Sequence, residues 1–471
     1  MVSEKVELKR QLGVLHGVGI CFGLVVGSGI YITPSGVIQN AGSPALCLIL
    51  WSVAGVMSTI GTLCMAELGT TYPKSGERYA YLGIMYGPKA AYAYLWTYML
   101  GVRCPANVMK ALILAQSIMT LFFADCEMPS TAVTLIAIFI QALLTFLNCL
   151  SVKWSARTQA TLTMVSVGAL SVISVIGFVY LGQGKFGDLE FPWEGTSTSG
   201  MSIAVALTTA IYAFGGGSAL NYLVEEVKRP SRTLPLSISI SMTLVIVLYV
   251  SVNLAYLVVM GPREMLQSQA VAVTFAQKTI PQVAWLMTIC ISLNLASSFN
   301  SGLLVGSRLC FVGSRSGQFP QALSLVHIER NTPISSLIFQ LILQAALTGV
   351  ADFNLLFRNA ATVNILFNVM VISAMVKMRF THKDLLRPFK VPLLFAILYL
   401  VCMVYLLVVK TIMFPVETFI GVTVILIFTT VMYYSTVVNK APKIIQRWSE
   451  KITTATQKIL FACPAAPDVD F

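Results

Sequence analysis

Two glycine-rich segments, Val26-Gly27-Ser28-Gly29-Ile30 and Phe214-Gly215-Gly216-Gly217-Ser218, hold the residues best suited to binding a small molecule. Each interrupts an apolar stretch of helical length. A glycine costs a helix interior about 1 kcal/mol relative to alanine, so consecutive glycines predict a break. In an apolar medium, freed backbone groups survive only where they line a cavity or meet a ligand. Amides opening a half-helix suit a carboxylate, and carbonyls closing the opposite half suit an ammonium. Paired breaks therefore predict a pocket for the zwitterionic head of an α-amino acid, built without a charged side chain. Close helix packing through small residues is the competing account. Other chemistry finds no support. His16, His327 and His382 are far apart, and no Ser-His-Asp pattern, metal-ligand spacing or phosphate-binding loop follows from the sequence. An enzyme is not expected, nor a cofactor or a metal.

Breaks of this kind need helices in lipid to position them, and the composition supplies those helices. Of 471 residues, 56% are apolar and 11% charged, against roughly 25% charged in a soluble domain. The apolar residues fall into blocks of about the 20 that one crossing requires. The blocks are 12–38, 45–68, 90–123, 131–151, 161–182, 201–225, 235–260, 283–307, 333–351, 359–376, 392–411 and 418–438. This predicts an all-α polytopic membrane protein of twelve helices, with a head at 1–11, a membrane domain at 12–438 and a tail at 439–471. The charged head lacks a cleavage pattern, so the first span is expected to serve as the insertion signal.

The net charge of +12 is a topology signal, so no nucleic-acid partner is expected. Alternating the loops puts 24 Lys and Arg on one side and 5 on the other, with Arg103 and Lys110 inside the third span. Basic loops stay in the cytoplasm, which places both termini there. The tail stretch Ile444 to Leu460 reads either as an amphipathic helix on the membrane or as a solvated tail. In the first case Trp448, Ile452 and Ile459 would anchor it, while Lys451 and Lys458 meet anionic lipid.

Ten cysteines are scattered without a CxxC pair. Those in spans are small apolar filler. Cys126 lies in the short outer loop Phe123-Ala-Asp-Cys-Glu-Met-Pro129, where a thiol without an outer partner reads as an intermolecular bridge or a free thiol.

Five stretches together carry a family resemblance. They are Gly27-Ser-Gly-Ile-Tyr-Ile-Thr-Pro-Ser-Gly-Val37, Ala66-Glu-Leu-Gly-Thr-Thr-Tyr-Pro-Lys-Ser-Gly-Glu77 and Leu220-Asn-Tyr-Leu-Val-Glu-Glu-Val-Lys-Arg-Pro230. The others are Leu266-Gln-Ser-Gln-Ala-Val-Ala-Val-Thr-Phe275 and Met378-Arg-Phe-Thr-His-Lys-Asp-Leu-Leu-Arg-Pro-Phe-Lys-Val-Pro392. The sequence resembles the light subunits of heteromeric amino-acid transporters, within the amino acid–polyamine–organocation superfamily. The resemblance implies a five-plus-five inverted repeat with two extra helices, and exchange by alternating access at the plasma membrane. It also implies a single-span glycoprotein heavy chain joined through a disulfide at Cys126. Ser28 and Gly29, beside Gly27, match the family's carboxylate-binding turn. Tyr212 matches the aromatic residue closing over the substrate, and Phe214, Gly215 and Gly216 the unwound segment. Asn300 and Asn364 match pocket-lining polar positions, or else hold helices together. Glu67, Glu225 and Glu226 match acidic positions expected to be structural.

Three departures shape the expected selectivity. Gly217 and Ser218 replace a Trp and an Asn, leaving space for an aromatic substrate or for repacking by neighbours. Gly215 stands where the cystine/dibasic branch carries Asp, which disfavours cationic substrates. Ser166 stands where the family carries a Lys whose ammonium takes the place of sodium, and this leaves sodium coupling open. The expectation is an exchanger of neutral, large or aromatic L-amino acids. The alternatives are an amino-acid sensor without net transport, or an exchanger also accepting cystine and dibasic amino acids.

Overall fold

The computed structural model describes residues 12–27, 29–74, 76–119, 129–268, 270–328, 330, 332–349, 353–435 and 443–464. Eight helices among them are long and apolar enough to cross a membrane: the broken Val14–Ile32, Pro44–Thr71, Ser130–Leu150, Arg157–Gly182, Pro230–Val259, Pro281–Arg315, Thr362–Thr381 and Leu393–Met413. Gly200–Ala213 and Ile334–Thr348 are shorter apolar helices. Pro88–Tyr98 runs through a π-helical turn, Met99–Arg103, into Cys104–Met119. Pro415–Tyr433 follows last before the tail. The described part of each apolar block falls mainly on a helix or a broken helix. The third is divided by the π-helical turn, and Arg103 and Lys110 lie within its apolar run.

Pro230–Val259 is the central post, packed against Val14–Val25, Pro44–Thr71 and Val152–Gly182. Its buried residues include the small Ser237, Ser241 and Ala255, which let neighbouring backbones approach closely, beside larger ones such as Ile238, Met242, Tyr249 and Tyr256. Two features were not expected. The stretch after the second span, assigned to a basic loop, turns at Gly76 and Glu77, both at positive φ, and re-enters the bundle as the helix Arg78–Tyr86. Tyr79 and Tyr81 on that helix are fully buried. The all-α expectation also misses a short antiparallel pairing between Leu325–His327 and Ala462–Pro464.

Candidate functional site

The first break lies between the helix Val14–Val25 and the turn Gly29–Ile32, which leads into Pro34–Ala41. The second lies between Gly200–Ala213 and the 3-10 stretch Gly217–Glu226. The two breaks cross at van der Waals distance, and this contact demands glycine on both sides. A Cβ on Gly29 would sit 2.5 Å from the Ala213 Cα. One on Gly216, whose φ is +110°, would sit 2.7 Å from the Leu24 carbonyl. Gly29→Ala should therefore abolish uptake at an unchanged surface level, because the obstacle is backbone and cannot rotate aside. Surface labelling beside radiolabelled uptake checks this, and retained uptake would show that the crossing can open without loss.

Two carbonyls freed at the first break, those of Val25 and Val26, already have side-chain partners. Tyr249 donates its hydroxyl to the Val25 carbonyl at 2.9 Å, and Asn294 Nδ2 donates to Val26 at 3.3 Å. The amides that open the half-helix at Gly29 have no acceptor within it, and Gly29 lines a cavity of about 280 Å³. Such amides can donate to an anionic group.

The cavity walls overturn the expectation of an uncharged pocket. Arg78, Arg103 and Lys110 line it, with one described carboxylate, Glu77. Arg103 and Lys110 are seven residues apart on the third span, two turns of one helix face. Lys110 Nζ donates to the Ser298 carbonyl at 3.1 Å, and Ser298 adjoins Gly27, whose Cβ would lie 3.0 Å from the Ser298 hydroxyl. The Lys110 ammonium is thus held beside the first break. Arg103 Nη2 donates to the Tyr98 hydroxyl at 2.8 Å and lies over that ring. Arg78 Nη1 donates to Asn364 Oδ1 at 3.0 Å, and its Nε stands 3.9 Å from Glu77. Among the described residues no carboxylate pairs with Arg103 or Lys110.

Of the residues singled out from the sequence, Gly27, Gly29, Tyr212, Gly215, Gly216 and Asn364 come together around this cavity. Ser28 and Cys126 lie outside the described residues, as do the side chains of Glu225 and Glu226. Two others face elsewhere. Phe214 is buried in an aromatic cluster with Trp51 and Tyr249, at ring separations of 5.9 and 5.1 Å. It props the break from behind. Asn300 accepts from Asn148 Nδ2 at 2.6 Å and donates to Gln159 Oε1 at 3.2 Å, joining three helices. Ser166 is fully buried and turns its hydroxyl back onto the Leu162 carbonyl.

Of the two alternatives at Gly217, repacking by neighbours is the one found. A Cβ there would meet Met242 Sδ at 2.9 Å and Thr62 Oγ1 at 3.1 Å, so neighbours occupy the place of the missing indole. Gly215 does face open space, with the Tyr212 carbonyl at 3.1 Å its single near neighbour. Glu67, expected to be structural, is buried against Arg379.

The helix breaks, the cavity between them and the surrounding spans occupy a stretch that matches one family model, Amino acid permease, over residues 12–435. The chain belongs to that family. Among curated proteins the permease is 35% identical to the rat "Large neutral amino acids transporter small subunit 2", over 96% of this chain and 86% of the relative. It is 35% identical to the human "Cystine/glutamate transporter", over 98% and 92%. It is 34% identical to the mouse "Asc-type amino acid transporter 1", over 98% and 87%. These relatives are light subunits of heteromeric amino-acid transporters, and the permease is one of that group. It is a multi-pass membrane transporter and not an enzyme.

Proposed function

We propose that the permease exchanges amino acids bearing an acidic side chain. One observation carries the proposal: among the described residues, the cavity at the helix breaks holds three cationic side chains and one carboxylate. A lysine or arginine at the centre of a membrane helix costs about 2.5–3.5 kcal/mol even by the mildest scales. Such residues persist where their charge is used, and an anionic occupant would offset that cost. A zwitterionic head adds no net charge to do so, whereas an acidic side chain adds the missing anion. The α-carboxylate would sit at the Gly29 amides, with the side-chain acid reaching Lys110 or Arg103. Excess positive charge also repels lysine and arginine, which agrees with the disfavour expected from Gly215.

A second reading, a large neutral substrate, draws on the open face of Gly215 and on the printed name of one relative. The two part in a competition assay with the chain co-expressed with a heavy chain. Glutamate or aspartate should displace labelled substrate at concentrations at least about tenfold below leucine, because one charge-assisted hydrogen bond contributes about 1.5–3 kcal/mol. Leucine or tyrosine competing better than both acids would overturn the proposal in favour of the neutral substrate. Transport is separated from sensing by uptake into proteoliposomes, which a sensor would not support.

The remaining features of the proposal follow the family. They are twelve spans in a five-plus-five inverted repeat with two extra helices, both termini in the cytoplasm, and residence in the plasma membrane. A single-span heavy chain would be joined at Cys126. Non-reducing electrophoresis should show a larger species that collapses on reduction and is absent in Cys126→Ser. A large species that persists in Cys126→Ser would move the link to another cysteine.

A further inference from the structure

The tail helix Lys443–Leu460 is oriented in a way that burial against protein does not explain. Thr453 is buried, and Thr456, Gln457 and Leu460 on the same face are half-buried. That largely polar side is the one packed on the Gln321–Ser324 turn and the helix Ile334–Thr348. Ile452 and Ile459, one helical face apart from it, are 54% and 73% exposed. A helix docked only for its protein contacts would bury its isoleucines and expose its threonines. Here the order is reversed.

Two neighbouring features extend this apolar face. Directly after the helix, Phe461 is 72% exposed, and its carbonyl accepts from the Ile328 amide at 3.1 Å. Ile328 is itself exposed. Ile452, Ile459, Phe461 and Ile328 are therefore exposed on the tail helix and on the strand clasp that fixes it. The clasp pairs Leu325 with Pro464, Val326 with Cys463 and His327 with Ala462. Beside the apolar face, Arg447, Lys451 and Lys458 share an exposed row, spaced so that they fall on one side of the helix. An apolar stripe flanked by cations matches the boundary between acyl chains and anionic headgroups.

We infer that the tail helix and its strand clasp form a docking surface for an anionic lipid leaflet, holding the loop between Ala284–Arg315 and Ile334–Thr348 against the membrane. Ile452, Ile459 and Phe461 enter the acyl boundary, while Arg447, Lys451 and Lys458 meet lipid phosphates. The proposal is independent of which amino acid is carried.

The test uses the full-length chain in vesicles, with Cys126→Ser, Cys402→Ser and Cys463→Ser removing the competing thiols. A fluorophore is attached at Ile459→Cys or at Thr454→Cys, an exposed position on the cationic side. Quenching by doxyl-labelled phosphatidylcholine is compared between vesicles of phosphatidylcholine alone and vesicles that also contain phosphatidylserine. The fluorophore at 459 should be quenched several-fold more than the one at 454 when phosphatidylserine is present. Its quenching should fall several-fold without phosphatidylserine, or when Arg447→Glu, Lys451→Glu and Lys458→Glu are combined. Equal quenching at the two positions would overturn the inference, because the face would then meet water or protein. Quenching at 459 that ignores both the lipid charge and the reversed side chains would overturn its anionic component. The comparison of lipids on the unreversed chain stands even if the triple variant fails to fold.

Discussion

Removing the Lys110 charge by Lys110→Met should cut uptake of acidic amino acids by about ten- to a hundredfold while leaving small neutral amino acids within a few-fold of their starting rate. The ammonium donates one hydrogen bond to the Ser298 carbonyl beside the first break, which leaves its other N–H groups for the cavity. A charge-assisted hydrogen bond to a substrate carboxylate contributes about 1.5–3 kcal/mol, and each 1.4 kcal/mol is tenfold. Methionine keeps the length and apolar stem of the lysine, so the helix face should pack as before. Arg103→Met should also weaken acidic uptake. It carries a second cost, because the guanidinium is bonded to Tyr98 and lies over its ring, so neutral substrates should suffer too. Gly215→Asp gives an independent check. It adds a carboxylate at an open wall and should depress acidic uptake without touching either cation. Equal losses of glutamate and alanine uptake in Lys110→Met would show that Lys110 holds the helices together and does not select the substrate.

The contrast between the glycine breaks and the charged wall explains how far the sequence could be followed. Both breaks were legible because the cost of glycine in a helix is local and needs no partner to be known. The twelve apolar blocks were legible for the same reason, since hydropathy acts residue by residue. The cavity charge depends on tertiary placement. Arg78 follows a stretch that resembles a basic loop, and nothing local says that Gly76 and Glu77 turn it back into the bundle. Arg103 and Lys110 did leave a signal: two cations inside an apolar block, seven residues apart, are a functional hypothesis by default. Gly217 shows the opposite limit. A missing side chain reveals a vacancy, but which neighbour fills it is decided by Met242 and Thr62, from two other helices. Asn300 is similar: its amide suits a pocket or a helix junction equally, and Asn148 and Gln159 decide for the junction.

The same dependence on partners sets the largest expected effect on stability, at Glu67. Its carboxylate, on the second span, accepts from Arg379 Nε at 3.0 Å and from Arg379 Nη2, and also from the Val391 amide at 2.9 Å. Arg379 donates in turn to the Val391 carbonyl at 2.6 Å. Three segments are thereby tied at one point: the second span, the end of Phe353–Thr381 and the residues leading into Leu393–Met413. Glu67 is 1% exposed, so Glu67→Ala leaves a largely buried guanidinium without its carboxylate. Breaking one side of such a pair costs about 3–5 kcal/mol, whereas replacing both charges by apolar groups is often neutral. Glu67→Ala should therefore lower the thermal midpoint of the detergent-solubilised transporter sharply and reduce surface expression. Glu67→Met combined with Arg379→Leu should recover part of the loss. Recovery should be incomplete, because the Val391 amide and carbonyl would lose their partners. A double variant less stable than Glu67→Ala would mean that the ion pair itself, and not the stranded charge, sets the stability of this junction.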